Sequence, residues 1–407
     1  MLGAGKRSAT QVESEGARRA RERLARFDAT AAETAEKSPP LENYANNSSP
    51  SPRNRRYMLR SALWNVSSLK RCRSCGKHVR EASGEVGIRV TDGHAGFAGL
   101  VTCGSVWVCP VCSAKIAATR SVEIGCVVAR ALSEGCTVVM VTLTLRHDRG
   151  QALGTLWDAL AGCWKRVTGG KSWVRQVERF GLLGFVRATE VTHGRNGWHP
   201  HVHALLIAER DLSSSEVDEL CTSMWERWAS KARGLGLRSP LMQASEWHRV
   251  TADGSSGTSI GDYLAKGVMA AGAIGMELTQ TQSKVARSVH STRSMWEVLR
   301  DAVEVGEAGA VRLWLEWERV SKGRRSIAWS RGLRERFGVG LEKSDEEIAA
   351  EELGGRDDTI AFITRAGWAS MVRRPVLMPA LLDALESGGI GALHAFLTEN
   401  NIEWRAA

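Results

Sequence analysis

The sequence predicts an α+β protein that has an antiparallel central sheet with flanking helices, an N-terminal zinc-binding module and a helical C-terminal region. Two observations support this fold class. Segments 137–272 alternate as strand, helix, strand, strand, helix, strand, helix, and the two middle strands read as a hairpin. Close cysteine pairs precede this segment, and apolar residues at helical spacing follow it. We therefore divide the chain into 1–60, 61–120, 121–272 and 273–407.

Segment 1–60 predicts a basic disordered arm. It carries 12 Lys and Arg against 7 Asp and Glu, which is half of the formal charge of +10, and four of the nine prolines. Such a composition buries too little apolar surface to offset its ordering entropy. The positive charge favours a polyanionic partner, of which nucleic acid is the first to test. No apolar run reaches the roughly 18 residues that span a bilayer, and no signal core is present, so we expect a cytoplasmic protein without membrane contact.

Segment 61–120 predicts a structural zinc site. Its two CxxC pairs are Cys72 with Cys75 and Cys109 with Cys112. Four thiolates in two such pairs suit a tetrahedral zinc ion, and Cys103 or His78 can replace one of them. The remaining cysteines lie in helical or strand patterns and predict buried packing roles: Cys126, Cys136, Cys163 and Cys221.

Segment 121–272 predicts the central sheet. A helix over 112–134 ends at Gly135, and the β-branched run 137–145 follows as a strand. A helix over 150–168 leads to a hairpin of 183–192 and 200–208, in which Asn196-Gly197 supplies turn residues. A helix (214–233), a strand (241–250) and a helix containing Tyr263 complete it. Beyond Gly272 the apolar spacing is helical, and Trp296, Trp314 and Trp317 are expected to pack in a core.

Three histidines within five residues form the first candidate site. Side chains alternate along a strand, so His201 and His203 project from one face about 7 Å apart and can share a metal. Glu190, across the hairpin, is placed to be the third ligand, with His199 and His193 as substitutes. Two imidazoles and a carboxylate suit Mg²⁺ or Mn²⁺ when phosphate oxygens complete the shell, and also Fe(II), Zn²⁺ or Co²⁺. Packing histidines are the alternative.

The segment Gly261–Gly267 forms the second candidate site. Tyr263 and Lys266 share one face of a helix, and Tyr263 is the only tyrosine of the predicted folded core. A phenol becomes a nucleophile when neighbouring positive charge favours its ionised form, which makes Tyr263 a candidate catalytic residue beside Lys266. A buried core tyrosine is the alternative.

A basic cluster follows the tryptophan-rich helix. Its members Arg324, Arg325 and Arg331 are candidates for contact with the DNA backbone, and a solvated helix surface is the alternative.

These motifs resemble those of HUH endonucleases, in order and in approximate spacing. The sequences GWHPHVHALL and YLAKG, and the stretches 96–116 and 323–340, are similar to those of the replication initiators of actinobacterial rolling-circle plasmids. The resemblance covers about residues 60–352. It implies metal-dependent nicking of a plasmid double-strand origin, in which Tyr263 forms a 5′-phosphotyrosyl link, leaves a free 3′-OH and later rejoins strands.

The resemblance also implies partners and leaves a gap. A host helicase and polymerase act on the nicked origin, and a homodimer is compatible with the family. Some single-tyrosine members place a glutamate four residues before the tyrosine for the terminating cleavage, where this chain has Ser259. Asp262 and Glu246 are the candidate replacements.

Three alternatives remain on the sequence alone. A relaxase or single-strand transposase uses the same chemistry. A non-catalytic, zinc-dependent DNA-binding regulator would use the histidines structurally. A 2-His-1-carboxylate Fe(II) oxygenase is disfavoured, because its ligands usually come from a jelly-roll fold and this chain predicts helices between strands.

Overall fold

The computed structural model describes residues 51–80, 84–250 and 292–407, which form two compact units. The first contains the described residues up to Val101 together with Arg356–Ala407, and the second is Thr102–Gly355 without its undescribed part. This division differs from the four predicted segments because the end of the chain pairs with strands of the cysteine-rich segment. Most of the predicted arm and the helix containing Tyr263 lie outside the described residues.

Twelve α-helices and nine strands are present in the described ranges. In chain order the helices are α1 (Pro52–Val66), α2 (Lys70–Ser74), α3 (Pro110–Ser133), α4 (Leu153–Val167), α5 (Gly170–Phe180), α6 (Ser214–Gly234), α7 (Met295–Arg300), α8 (Ala308–Ser321), α9 (Leu333–Arg336), α10 (Asp345–Ala350), α11 (Arg365–Arg373) and α12 (Leu377–Glu399). The strands are β1 (Val86–Thr91), β2 (His94–Ala98), β3 (Thr137–Thr144), β4 (Leu182–Gly194), β5 (Gly197–Ala208), β6 (Glu246–Val250), β7 (Ile327–Trp329), β8 (Thr359–Ile363) and β9 (Trp404–Ala406).

The first unit is built on a four-stranded antiparallel sheet in the order β2-β1-β8-β9. Ile88 of β1 and Ala361 of β8 pack in one core with Leu381 and Leu393 of α12, all fully buried. The C-terminal region is therefore not wholly helical as predicted. Its short strands β8 and β9 complete a sheet begun by β1 and β2, and the pairing satisfies their backbone hydrogen-bonding groups. Because the paired strands are far apart in the sequence, local residue spacing does not predict them.

The second unit contains the predicted central sheet, and its antiparallel α+β character is confirmed. Five strands lie in the order β6-β3-β5-β4-β7, and every pair is antiparallel. Helix α3 packs on one face through Ile124, Val127 and Val128, against Leu205 and Ile207 of β5. Helices α4 and α6 pack against each other, α4 contacts β5, and α6 contacts β3.

The β4–β5 hairpin is the longest pairing in the sheet. Its register runs from Leu182↔Ala208 to Gly194↔Gly197, so only Arg195 and Asn196 lie between the strands. Gly197 has φ +89°, and a Cβ there would lie 3.6 Å from the Cα of Arg149. The positive φ therefore favours glycine at this position, whereas the space beside it would admit a Cβ at ordinary contact distance.

A tryptophan cluster supports the hairpin near this turn. Trp198 is stacked on Trp317 with ring centroids 6.3 Å apart, and the indole N–H of Trp317 donates to the carbonyl of Trp107 at 2.8 Å. Trp314 and Trp317 are buried, while Trp296 is partly buried. The packing role predicted for these tryptophans agrees with this arrangement.

Candidate metal centre

Strand register brings three candidate ligands to one place on the second unit's sheet. Glu190 of β4 lies directly across from His201 of β5, and His203 lies two residues further along the same face. Toward the strand end this face continues as Leu205 and Ile207, which α3 covers. Val202 points to the opposite face and is fully buried. The site therefore lies on the same sheet face as the core beneath α3, just beyond the part that α3 covers.

The three side chains meet at a single carboxylate oxygen. Oε2 of Glu190 lies 3.1 Å from Nε2 of His201 and 3.1 Å from Nε2 of His203. One ligand atom from each of the three lies within 4.8 Å of the others. Their side chains are only 11–16% exposed. The structure thus brings together the three residues that the sequence nominates as metal ligands.

The outer ring nitrogens of both histidines have their own partners. Nδ1 of His203 lies 3.0 Å from the hydroxyl of Thr142 on β3, and Nδ1 of His201 lies 3.4 Å from the carbonyl oxygen of His199. Partners at Nδ1 fix the orientation of each ring, so that Nε2 faces the site. Sequence reasoning missed Thr142, although the strand register, which pairs it with His203, is the signal that identifies it.

A second pair of histidines extends the row. Nε2 of His147 lies 2.8 Å from Nδ1 of His199, and the rings of His199 and His201 have centroids 5.1 Å apart. Burial, and to a smaller extent the neighbouring His201 and His147, together lower the pKa of His199 to about 4. Burial also lowers the pKa of His147. Both rings are therefore neutral at pH 7, and His147 is a neighbour that sequence reasoning missed.

The carboxylate of Glu190 is ionised over the whole neutral range. Burial by itself raises the pKa of Glu190, but hydrogen bonds and charge interactions with His201 and His203 outweigh it and hold the pKa at about 2. One carboxylate beside two imidazole rings is a suitable environment for a divalent cation. Protein nitrogen and oxygen ligands bind such ions at about 2.0–2.2 Å, so donor atoms about 3 Å apart can share one ion. The residues present therefore fit a divalent metal.

The remaining candidates near this site are placed differently. His193 pairs with Trp198 on the opposite face, which removes it from the ligand set. Glu246 of β6 pairs with Thr142 of β3 and is exposed. Strand β3 lies between it and His203 of β5. Ser259, Asp262, Tyr263 and Lys266 lie outside the described residues, so their roles stay predictions.

A cysteine cluster lies at the beginning of α3. Sγ of Cys103 is 3.6 Å from Sγ of Cys112, and with Cys109 the three sulfurs lie within 4.8 Å of one another. All three are buried. Cys109 immediately precedes Pro110, the first residue of the helix. This cluster could bind zinc, and it includes Cys103, which the sequence offers only as a substitute.

The other two predicted zinc ligands belong to the first unit. Cys72 lies in α2 and Cys75 caps it, and both are buried. Their part in a zinc site stays a prediction, while His78, the other substitute, is exposed. Burial raises the pKa of Cys163 and of Cys221 to about 12, which fits the inert role expected of them. Cys126 is exposed on α3, so its predicted burial is wrong.

The predicted DNA-contacting arginines divide into two kinds. Arg324 is held by Asp158 at 2.7 Å, and by the carbonyl of Val320 at 2.8 Å. Arg325 and Arg331 are exposed. In the same segment Arg334 forms two hydrogen bonds of 2.9 Å with Glu123 of α3, which is a structural pairing. Some arginines of this basic segment therefore hold the fold together through ion pairs, while others are exposed positive charges.

Comparison with known proteins points to one class. Residues 99–232 match the family model described as a replication protein. The matched stretch contains β3, the β4–β5 hairpin and all three candidate metal ligands, and it ends before Tyr263. The stretch that matches this family model therefore includes three of the five strands of the sheet, together with the candidate metal ligands.

Individual relatives agree with that class. A protein named Protein rep from Streptomyces lividans is 29% identical over 74% of this chain and 78% of its own length. A Neomycin resistance protein from Streptomyces cyanogenus is 33% identical over 34% of this chain and 38% of its own length. Another Protein rep, from Streptococcus pneumoniae, is 25% identical over 39% of this chain and 49% of its own length. No solved structure matches. These findings confirm the resemblance to plasmid replication initiators.

None of the described helices is by itself long and apolar enough to cross a bilayer. Helices α11 and α12 meet the criteria only as a pair bent by 111°, and apolar side chains of both lie in the core of the first unit.

Proposed function

We propose that this protein initiates plasmid rolling-circle replication by a metal-dependent nick in origin DNA. The observation that carries the proposal is the convergence of Glu190, His201 and His203 on one point, inside the stretch that matches replication proteins. Mg²⁺ or Mn²⁺ suits this donor set when phosphate oxygens complete the coordination. A bound ion would act as a Lewis acid on the scissile phosphate.

In this proposal each residue of the chain has one task. Glu190 supplies the negative charge that attracts the cation, and His201 and His203 supply Nε2 donors whose orientation is held at Nδ1. Thr142 and the carbonyl of His199 provide that orientation. These contacts support a preorganised site, because each histidine ligand already has a partner that fixes its direction.

Tyr263 is the proposed nucleophile. Its phenolic oxygen attacks the scissile phosphorus and loses its proton, a phosphotyrosine ester forms, and the bond from phosphorus to the 3′ oxygen breaks. The leaving 3′ oxygen takes up a proton to give the free 3′-OH, which a host polymerase extends as a host helicase separates the strands. Lys266 balances charge at the phosphate. Attack by a released 3′-OH on the phosphotyrosine reverses these bonds and rejoins a strand.

A nicking assay tests the proposal. Supercoiled plasmid carrying the cognate origin is incubated with purified protein and Mn²⁺ or Mg²⁺, with EDTA as the metal-free control. We expect nicked circles that require the metal and disappear in the His201→Ala, His203→Ala double variant. His394→Ala, which alters a histidine of the first unit stacked on Trp404, is the matched control and should nick normally. Specific origin binding with no nicking under any metal would favour a non-catalytic regulator.

A further inference from the structure

A cleft of about 970 Å³ opens on the second unit beside the turn of the β4–β5 hairpin. Its walls are the hairpin tip (residues 193–198), the loop 149–152 after β3, and the face of α8 that carries Arg312 and Glu316. The fourth wall is the segment that contains Arg293. Two backbone hydrogen bonds, of 2.7 and 3.0 Å, attach this segment to His193 of the hairpin. We call this feature the arginine cleft.

Positive charge dominates the arginine cleft. Four arginines line it: Arg149, Arg195, Arg293 and Arg312. Arg293 is paired with Asp301 and Glu307, at 3.1 and 3.2 Å. The other three are exposed, and none of them has an acidic partner among the residues that the structure describes. Their guanidinium groups are therefore available to a ligand.

The acidic residue of the lining is already engaged. The carboxylate of Glu316 accepts the indole N–H of Trp198 at 3.0 Å and the backbone N–H of Leu153 at 2.8 Å. It anchors the wall rather than neutralising the three available arginines. Leu313, which is partly exposed, adds apolar surface to the cleft, and the edge of the buried Trp198 completes that wall. Arginine heads around partly apolar walls are suited to a ligand that carries both phosphates and flat rings.

The cleft lies on the opposite face of the hairpin from the candidate metal centre, and a short distance from it along the strands. The pair His193↔Trp198 is three register positions from Glu190↔His201, about 10 Å along the strands. His147 and His199 line a smaller cavity of about 380 Å³, and Arg149 lines both this cavity and the arginine cleft. Arg149 thus borders both the hairpin face that carries His199 and the opposite face that carries the cleft. A chain-like ligand can pass from one face to the other around the turn of the hairpin.

We propose that the arginine cleft binds the phosphodiester backbone of single-stranded DNA and positions the strand beside the metal centre. This inference rests on the proposed nicking function, because that function supplies the DNA strand. The size of the cleft favours one strand over a duplex, because about 970 Å³ is the volume of a pocket that encloses a small ligand or a few nucleotides. A free nucleotide has the same phosphate chemistry and is distinguished by experiment.

The test measures binding without chemistry. Full-length protein carrying Tyr263→Phe is titrated in EDTA against a fluorescein-labelled 12-nucleotide single strand, and anisotropy is followed at several salt concentrations. The test variant is Arg195→Ala with Arg312→Ala. The matched control is Arg175→Ala with Arg319→Ala, which removes two exposed arginines from the same unit, one of them from the same helix α8. Thermal melting verifies that both variants are folded.

We expect the test variant to bind about tenfold more weakly and the control to bind as the parent does. The slope of log affinity against log salt should fall by about 1.4, since each phosphate contact on a single strand contributes about 0.7. Equal affinities of the two double variants would overturn the inference. Competition by thymidine monophosphate as effective as that of the oligonucleotide, at equal phosphate concentration, would assign the cleft to a free nucleotide and overturn the strand proposal.

The outcome is separable from that of the nicking assay. Selective loss of strand binding in Arg195→Ala with Arg312→Ala, from a protein that never nicks, would support the cleft and contradict the catalytic proposal. Normal strand binding by that variant, together with metal-dependent nicking by the wild-type protein, would contradict the cleft and leave the catalytic proposal standing.

Discussion

Thr142 and His203 face each other across strands β3 and β5, with the threonine hydroxyl 3.0 Å from Nδ1 of the imidazole. The contact leaves Nε2 of His203 directed at Glu190. A hydroxyl that holds the outer nitrogen of a ligating histidine acts on metal affinity without touching the metal. Thr142 is therefore a positioning residue of the candidate site.

Replacing this hydroxyl should weaken metal binding selectively. We predict that Thr142→Val lowers Mn²⁺ affinity roughly 10- to 100-fold, because His203 loses the partner that orients it. Titration of Mn²⁺ followed by electron paramagnetic resonance measures the affinity. Thr142→Ser keeps the hydroxyl and should bind Mn²⁺ nearly as the wild-type protein does. If Val and Ser variants bind alike, the hydroxyl has no positioning role.

The pH dependence of folding should report on His199. Its pKa is about 4 in the folded protein, below the ordinary 6.5, so the unfolded chain binds the proton more tightly. The stability contributed by the neutral ring is complete above pH 6.5 and is lost as pH falls toward 4. We predict that His199→Gln removes part of this acid sensitivity, on the order of 2 kcal/mol.

Urea unfolding in EDTA at pH 7 and at pH 4.5 measures this effect. The difference in unfolding free energy between the two pH values should be smaller in His199→Gln than in the wild-type protein. His394→Ala serves as the control for a histidine elsewhere in the chain. An unchanged difference in the His199 variant would show that this ring is not held neutral by the fold.

The cysteine cluster should hold a metal. We predict about one zinc per chain by elemental analysis, and strong loss of zinc in Cys103→Ala and in Cys109→Ala, because a structural zinc site needs its thiolates. Cys126→Ala, which changes an exposed cysteine on the same helix, should retain zinc. Comparison of Cys72→Ala with Cys75→Ala then identifies which of these predicted ligands is required. Folded protein free of zinc would contradict the site.

Arg334 should matter for stability. It makes two 2.9 Å hydrogen bonds to Glu123, and the two side chains are only 11% and 16% exposed. Burial raises the pKa of Glu123, but hydrogen bonds from Arg334 and Arg120 outweigh it and lower the pKa overall. Arg334→Ala removes two hydrogen bonds from the poorly hydrated Glu123 and leaves Arg120 as its remaining partner. We therefore predict that Arg334→Ala costs about 2 kcal/mol in urea unfolding.

Arg331→Ala is the matched control for that prediction. Arg331 is exposed, and an exposed substitution of this kind should change stability by less than about 0.5 kcal/mol. The two variants separate the structural arginines of this segment from those that are available to DNA. Equal unfolding free energies would contradict the assignment of Arg334.

The sequence anticipated the central sheet because its signals are local. The β-branched run of β3, and the turn residues between β4 and β5, identify their elements within a few residues, and the observed strands begin and end close to the predicted limits. The same alternation placed His201 and His203 on one face, and the hairpin register placed Glu190 opposite them.

Other features depend on contacts between distant residues. Strand β8 pairs with β1 across more than 250 residues of chain, and no local pattern announces it. Helix α5 was not anticipated because it is short and mostly polar, although its apolar residues Trp173, Val177 and Phe180 do recur at helical spacing. Thr142 and His147 enter the site only through the cross-strand register and the folding of the loop after β3, which composition and spacing do not specify.

The most direct test of the central proposal is identification of the covalent DNA adduct. Wild-type protein is incubated with Mn²⁺ and a single-stranded oligonucleotide containing the cognate nick site, and the adduct is digested and analysed by mass spectrometry. We predict a 5′-phosphotyrosyl link on Tyr263, which is absent in Tyr263→Phe and in the His201→Ala, His203→Ala variant. An adduct that persists in Tyr263→Phe, or forms undiminished without the two histidines, would contradict the proposed mechanism.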